Sequence, residues 1–301
     1  MRVLVTGAIG FVGTWLTTDL GAAGHEVIGF PGPEILDIAD RIGVRSAVAE
    51  ARPDAVAHLA AMAYAPDASA DAAEAIRVNV GGTLAVLEAC RAEAPLAAVL
   101  VVGSSEVYEP PETDAPLTEA SPLGPRGVYG LTKLAAEALA LSILMGSSLE
   151  VAVVRSFNHT GPGQRPVFAV PAFAGRILEA RRAGVHEIRA GNVDVARDLS
   201  DVRDVVRAYR LLLEALADRR VPPGKRVYNV ASGRAVPMSQ LIGRLAELAD
   251  WPVAIVRDPA LVRRDDPRVI RGDASALRAL TGWAPMVEMD QTLADVLASL
   301  Q

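Results

Sequence analysis

Tyr129 and Lys133 stand four residues apart in VYGLTKLAAEALALSILMG (Val128 to Gly146), which places a phenol and an ammonium on one face of a predicted helix. A tyrosine keeps its proton near neutral pH, with an ordinary pKa of about 10. An ammonium one turn away favours the phenolate, and so predicts easier proton release from Tyr129. The same ammonium suits the ribose hydroxyls of a nicotinamide nucleotide. Reduction of a carbonyl also needs a hydroxyl to steady its oxygen. GSSEVY supplies Ser104 and Ser105 at the end of an apolar run, with Glu106 directly after them.

A second chemical feature opens the chain. VLVTGAIGFVGTWL sets Gly7, Gly10 and Gly13 after a strand-like run and into a helix-like one, with Ile9 and Phe11 between them. Glycines there permit a tight turn and close approach of the backbone to a pyrophosphate at a helix N-terminus. The spacing is GxxGxxG, and simple turn chemistry is the alternative to dinucleotide binding. An acidic residue holding a ribose hydroxyl belongs at the end of the second strand. GFPGPE has Phe30 there, and no arginine stands ready for a 2′-phosphate. The cofactor is therefore NAD(H) or NADP(H), with neither selected. Asp37 and Ile38 lie where they can cover the adenine, although Asp37 equally suits a cap on the following helix.

These groups need a scaffold that brings them together. RVLVT, HEVIGF, DAVAHLAA, AAVLVVGSS and LEVAVVRSFN read as strands, and helical runs lie between them. DAVAHLAA and AAVLVVGSS are apolar without alternation, as in a sheet covered on both faces. DRIGVRSAVAEARP is a helix stopped at Pro53, and DAAEAIRVNVGGTLAVLEACRAEA is helical despite Gly81-Gly82. Strands alternating with helices predict an α/β fold, a Rossmann-type doubly wound parallel sheet. Residues 1–157 form that dinucleotide domain. A glycine- and proline-rich stretch, HTGPGQRPVFAVPAF, then begins a smaller C-terminal α/β lobe over 158–301, with segments near 202–232 able to return to the first sheet. Strand C-terminal ends face the ligand crevice in such sheets, so the glycine loop, the serines and the Tyr129 helix converge.

Composition narrows the partners. The 301 residues are 51% apolar and 22% charged, a globular balance with room for a large core. A net charge of −6 argues against nucleic acid, which wants a basic surface. Cys90 is the single cysteine, so there is no internal disulfide, and no thiolate metal site is expected. No apolar run is expected to reach membrane-spanning length, and the N-terminus lacks a secretory pattern; cytoplasmic residence follows as the expectation. The Tyr129 helix also carries Leu131, Leu134, Leu139, Leu141, Ile143, Leu144 and Met145, apolar nearly all round. Such a helix is covered on several sides, either by the chain's own helices or by a second copy, in a homodimer.

TGAIGFVG, HLAA, VNVGGT, GSSEVY and YGLTK together resemble the extended short-chain dehydrogenase/reductase family over nearly the whole chain. The resemblance implies a Rossmann cofactor domain and a C-terminal nucleotide-sugar domain. It makes Ser104 the active-site hydroxyl, Tyr129 the acid/base and Lys133 the ribose-binding lysine. His58, Leu59, Ala60, Ala61 and Asn79 would line the cofactor. The family usually writes VYG where this chain has Tyr108-Glu109, which leaves the next loop open. RSFNHTGPGQ, GNVDVARDLSDVRDVVRAY and LVRRDDPRVIRGDASALRALTGW look like the branch handling GDP-sugars, with Asn158, Arg197 and Arg263 at positions that contact the nucleotide sugar. Arginine suits a diphosphate better than lysine, while ion pairs with Asp198, Asp265 or Asp266 are the plainer reading of both arginines. The branch implies NAD(P)H-dependent reduction of a 4-keto sugar, or 4,6-dehydration. The dehydratases place an acidic acid/base residue where Glu106 stands; in a reductase Glu106 is a wall residue or positions the sugar.

Overall fold

Val3 to Val5 and Ala55 to Ala57 are apolar at every position, and all are buried to 2% exposure or less, because both faces of their sheet are covered. In the computed structural model, which describes residues 1–262 and 266–301, the chain runs through β1 (Arg2–Thr6), α1 (Phe11–Ala22), β2 (Glu26–Gly29), α2 (Arg41–Ala51), β3 (Ala55–His58), α3 (Ala65–Ala70), α4 (Ala72–Ile76), α5 (Gly82–Glu93), β4 (Ala98–Val102), α6 (Gly127–Leu144) and β5 (Glu150–Ser156). It continues through β6 (Asn158–Thr160), α7 (Ala169–Ala183), β7 (Glu187–Ala190), β8 (Ala196–Asp201), α8 (Val202–Ala217), β9 (Val227–Val230), β10 (Ala235–Pro237), α9 (Met238–Leu248), β11 (Ala254–Arg257), β12 (Val269–Ile270), α10 (Ser275–Thr281) and α11 (Met289–Ala298).

Six strands form one sheet in the order β2-β1-β3-β4-β5-β9, and every pairing in it is parallel. The winding reverses between β1 and β3, so the ligand crevice opens at their C-terminal ends. Thr6 and His58 end those two strands and pair in register. Alternate residues serve opposite cores. Val3 and Val5 pack with Leu16 and Leu20 of α1 and with α8, whereas Leu4 and Val56 pack with Val44 and Val48 of α2 and with α5.

β9 adds to the first sheet beside β5, and α8 supplies much of the core on that face. The remaining strands lie outside it. β8 pairs with β10, β12 and β6, while β7 pairs with β11. Ile177, Leu241, Leu245 and Leu293 fill a third core under α7, α9 and α11.

Helix α6 corrects one expectation: at 18 residues and mean hydropathy 1.3 it is long and apolar enough to cross a membrane. Its polar residues show what holds it here instead. Glu137 on α6 pairs with Arg155 on β5 at 2.5 Å, both side chains 4% exposed. The Arg155 guanidinium also lies 4.8 Å over the Tyr108 ring and donates to the Glu119 carbonyl.

Candidate active site

The loop between β1 and α1 needs its glycines. Gly7 has φ +70, and a Cβ there would come within 3.0 Å of the Ala60 amide nitrogen. A Cβ on Gly13 would overlap the Gly7 carbonyl, so the first turn of α1 packs directly on the loop. Gly10 caps α1 with no side-chain bond, and no acidic residue lies in the first turn. Those amides and the positive helix end fit a pyrophosphate. Ile9 is 70% exposed beside them.

The adjoining β3 loop is held by a hydrogen-bond chain. Thr6 Oγ1 accepts from the amides of Leu59 and Ala60, each at 3.1 Å, so its own proton goes to His58 Nδ1 at 2.8 Å. His58 Nε2–H then donates to Thr83 Oγ1 at 3.0 Å, which donates to the Asn79 carbonyl at 2.6 Å. The ring is neutral in one tautomer, and burial followed by the Lys133 charge lowers its pKa to about 3. Asn79 sits in a π-helical turn, Arg77–Gly81, between α4 and α5, where the widened turn lets its side chain leave the helix. Its Oδ1 accepts from the Met62 amide at 2.7 Å, and its Nδ2 donates to Thr132 Oγ1 at 2.9 Å. Thr132 in turn donates to the Tyr129 carbonyl. The β3 loop is thereby tied to the tyrosine helix.

Ser104, Tyr129 and Lys133 converge at the end of β4. Ser104 has extended backbone angles and accepts from the Glu106 amide at 3.1 Å, and its hydroxyl acts on the Tyr129 phenol, lowering its pKa. Gly130 makes the approach possible, since a Cβ there would lie 2.5 Å from the Glu106 carbonyl. Lys133 Nζ donates to the Val102 carbonyl at 2.9 Å and stands 6.0 Å from the Tyr129 ring centroid.

The electrostatics reverse the expectation that Lys133 eases proton release. Burial, then the Glu106 carboxylate, push the Tyr129 pKa above its ordinary value, against the Ser104 bond. Lys133 is itself lowered to about 8 by burial. Its ammonium is anchored on a backbone carbonyl rather than on the phenol oxygen, so the phenol keeps its proton. That state suits an acid that gives a proton to a developing alkoxide. Ser105 is partly exposed beside this group, and Glu106 is exposed.

The other sequence-derived positions are less uniform. Asp37 does not cap α2, because Asp40 does so through the Ile42 amide. Asp37 accepts instead from Ala39 N–H and from Arg77, which together hold its carboxyl below the usual range. Ile38 is buried against Gly82, where a Cβ would meet its Cγ2 at 2.8 Å. Phe30 is 4% exposed in the core behind β2. Asn158 is exposed on β6. Arg197 donates to the carbonyls of Ala196 and Pro267 and pairs with Asp266. Asp198 is engaged elsewhere, with Ser232, Gly233 and Gly272. Arg263 and Asp265 lie outside the described residues. The loop after Tyr108 closes on itself, with the Glu109 amide on the Pro122 carbonyl and the Tyr108 hydroxyl on Asn229 Oδ1 at 2.6 Å. Burial leaves the Cys90 thiol unreactive, pushed up to about 12.

Thr132, Glu137 and His159 escaped the sequence reading. Thr132 and Glu137 lie i+3 and i+8 from Tyr129; a polar residue on the same helix was the available signal.

The sequence matches the NAD dependent epimerase/dehydratase family over residues 3–231. The chain belongs to that family. The GDP-6-deoxy-D-mannose reductase of Pseudomonas aeruginosa is 36% identical over 300 residues, 99% of this chain and 96% of its own. The structure of RMD from Pseudomonas aeruginosa complexed with NADPH is similar with TM-score 0.88 at 34% identity, covering 100% of this chain and 99% of that one. The dTDP-glucose 4,6-dehydratase of Streptomyces griseus is 30% identical over 324 residues, 99% of this chain and 93% of its own.

Proposed function

We propose that this chain reduces the 4-keto group of GDP-4-keto-6-deoxy-D-mannose to give GDP-D-rhamnose. It is an NAD(P)-dependent oxidoreductase of the family, and similar structures hold NADPH or NAD. A nicotinamide dinucleotide bound here would supply hydride to C4. Gly7, Gly10 and Gly13 would cradle its pyrophosphate, and Lys133 would hold its ribose. Ser104 hydrogen-bonds the substrate carbonyl, and Tyr129 delivers the proton to the oxygen as the alkoxide forms. Asn158, exposed on β6, would contact the nucleotide sugar, and Arg197 would do so only by giving up its pair with Asp266; Arg263, the third position, lies outside the described residues. The observation that carries the reading is the convergence of Ser104, Tyr129 and Lys133 at the end of β4, with Lys133 Nζ on the Val102 carbonyl 6.0 Å from the Tyr129 ring centroid. The full-length similarity to a reductase supports it.

Glu106 favours a second reading. Its charge acts on Tyr129, and a similar protein is a 4,6-dehydratase. Mixing the protein with the ketosugar and NADPH or NADH separates the two. Loss of reduced-nicotinamide absorbance with formation of GDP-D-rhamnose supports the reductase. Conversion of GDP-mannose without net cofactor use identifies the dehydratase.

The same reading places the protein in the cytoplasm as a homodimer, with no nucleic acid or membrane partner. Leu131 at 56% exposure on α6 and Met145 at 81% just past its C-terminal end offer the apolar face for the second copy. Sedimentation at micromolar concentration tests that.

A further inference from the structure

Tyr108 follows the turn that carries Ser105 and Glu106, directly after Ser104, and no role above uses it. The residue is 4% exposed. A single 3-10 turn, Ser105–Val107, separates it from Ser104. That turn is closed at both ends, with the Glu106 amide on Ser104 Oγ at 3.1 Å and the Tyr108 amide on the Ser105 carbonyl at 3.2 Å. A link so short passes any shift of Tyr108 on to the Ser104 hydroxyl.

A buried polar cluster holds Tyr108 in place. Arg155 of β5 and Asn229 of β9 pair in register, so their side chains leave the sheet on the same face. Asn229 is fully buried. Its Nδ2 donates to the carbonyls of Leu117 and Asp273 at 2.9 and 3.1 Å, which turns Oδ1 toward the Tyr108 hydroxyl, and the hydroxyl donates to it at 2.6 Å. Arg155 holds the ring itself. Its Nε and Nη2 donate to the two oxygens of Glu137 at 2.9 and 2.5 Å, and Nη1 donates to the Glu119 carbonyl at 3.1 Å. The guanidinium so fixed lies 4.8 Å from the Tyr108 ring centroid, within cation–π range.

Glu137 belongs to α6, one turn beyond Lys133 and two beyond Tyr129. The same guanidinium therefore grips the helix that carries the phenol and the ring that anchors the serine turn. A buried ion pair is by itself a weak source of stability, whereas a fixed spacing between hydroxyl and phenol is what proton delivery to one oxygen requires. We infer that Tyr108, clamped between Arg155 and Asn229, is a positioning residue that sets the Ser104 hydroxyl against Tyr129, a role that rests on the carbonyl chemistry proposed for that centre.

The test is a double-mutant cycle on the full chain. Tyr108→Phe keeps the ring under Arg155 and loses the bond to Asn229. Arg155→Lys keeps a charge for Glu137 and loses the planar fork that also covers the ring; either variant suffices where the other fails to fold. NADPH binding by calorimetry counts the folded sites, and its affinity should be unchanged, since the glycine cradle lies at β1. Per counted site, kcat for the ketosugar should fall roughly tenfold, because a misplacement of a full ångström is worth about a hundredfold, with KM little changed. Ser104→Ala removes the group being positioned, so adding either variant to it should cost less than about twofold more. An unchanged kcat overturns the inference. A full further tenfold loss in the Ser104→Ala background also overturns it, and so does a loss of NADPH affinity that matches the loss of kcat, which marks a merely structural cluster. Wild type that ignores the ketosugar and turns over GDP-mannose overturns the reductase reading alone; the cycle then runs on that turnover, because Ser104 and Tyr129 meet the C4 oxygen in either direction.

Discussion

Lys133 is a charged group that the fold accommodates at a cost. Its side chain sits on a residue 7% exposed, with the Val102 carbonyl as its hydrogen-bond partner, and its pKa drops from 10.5 to about 8. The unfolded chain therefore binds more protons at this site than the folded one between those two values, and stability rises with pH through the window. Below the folded value the full penalty applies, about 3 kcal/mol at about 1.36 kcal/mol for each pH unit. Above the unfolded value it vanishes. Lys133→Met has no such proton, and folded His58, whose pKa burial and then the Lys133 charge lower to about 3, stays neutral across this window in both proteins. Urea unfolding of the two, without cofactor, then isolates the effect. Wild type should gain on the variant by about 2 kcal/mol between roughly pH 7 and pH 9.5, whatever their absolute difference. A stability difference that is flat across this window, or that moves the other way, refutes the reasoning: Lys133 would then be hydrated, or already neutral. The same variant should lose nearly all reductase activity, so the residue trades stability for function.

The remaining predictions concern its neighbours. Tyr129→Phe removes the proton donor and should lower kcat by about 10²- to 10⁴-fold with NADPH affinity kept, as steady-state kinetics and calorimetry will show. Glu106→Gln removes the charge that helps hold the Tyr129 pKa up; the basic limb of the kcat profile, where the phenol loses its proton, should begin at lower pH, most visibly at low salt. Glu137→Ala strands the Arg155 guanidinium in the interior and should cost about 3–5 kcal/mol in urea unfolding. Replacing both partners, as in Glu137→Leu with Arg155→Met, should recover most of that loss.

Part of the site was legible because its determinants are local. The four-residue spacing of Tyr129 and Lys133 becomes a shared helix face without help from the rest of the chain. Likewise Gly7, Gly10 and Gly13 follow β1 immediately, and a strand–loop–helix turn needs only neighbours in sequence. Ser104 at a strand end was readable for the same reason. The membrane-length apolar run in α6 was misjudged because Lys133 and Glu137 interrupt it on paper, whereas in the helix each finds a buried partner on the sheet. The electrostatic reading of Tyr129 failed for a related reason. Spacing placed the ammonium nearby, but the Val102 carbonyl, 31 residues earlier in the chain, decides where it points.

By itself the sequence determined the alternation of buried strands with helices, the glycine turn and the polar residues that face a common edge, since side-chain periodicity and backbone freedom are short-range properties. Tertiary structure alone decided the hand-over of His58 to Thr83, the tie from Asn79 to Thr132, the stack of His159 on Phe11 and the upward shift of the Tyr129 pKa. Each of these depends on burial and on partners brought together across many residues, and desolvation cannot be read from a chain before it has folded.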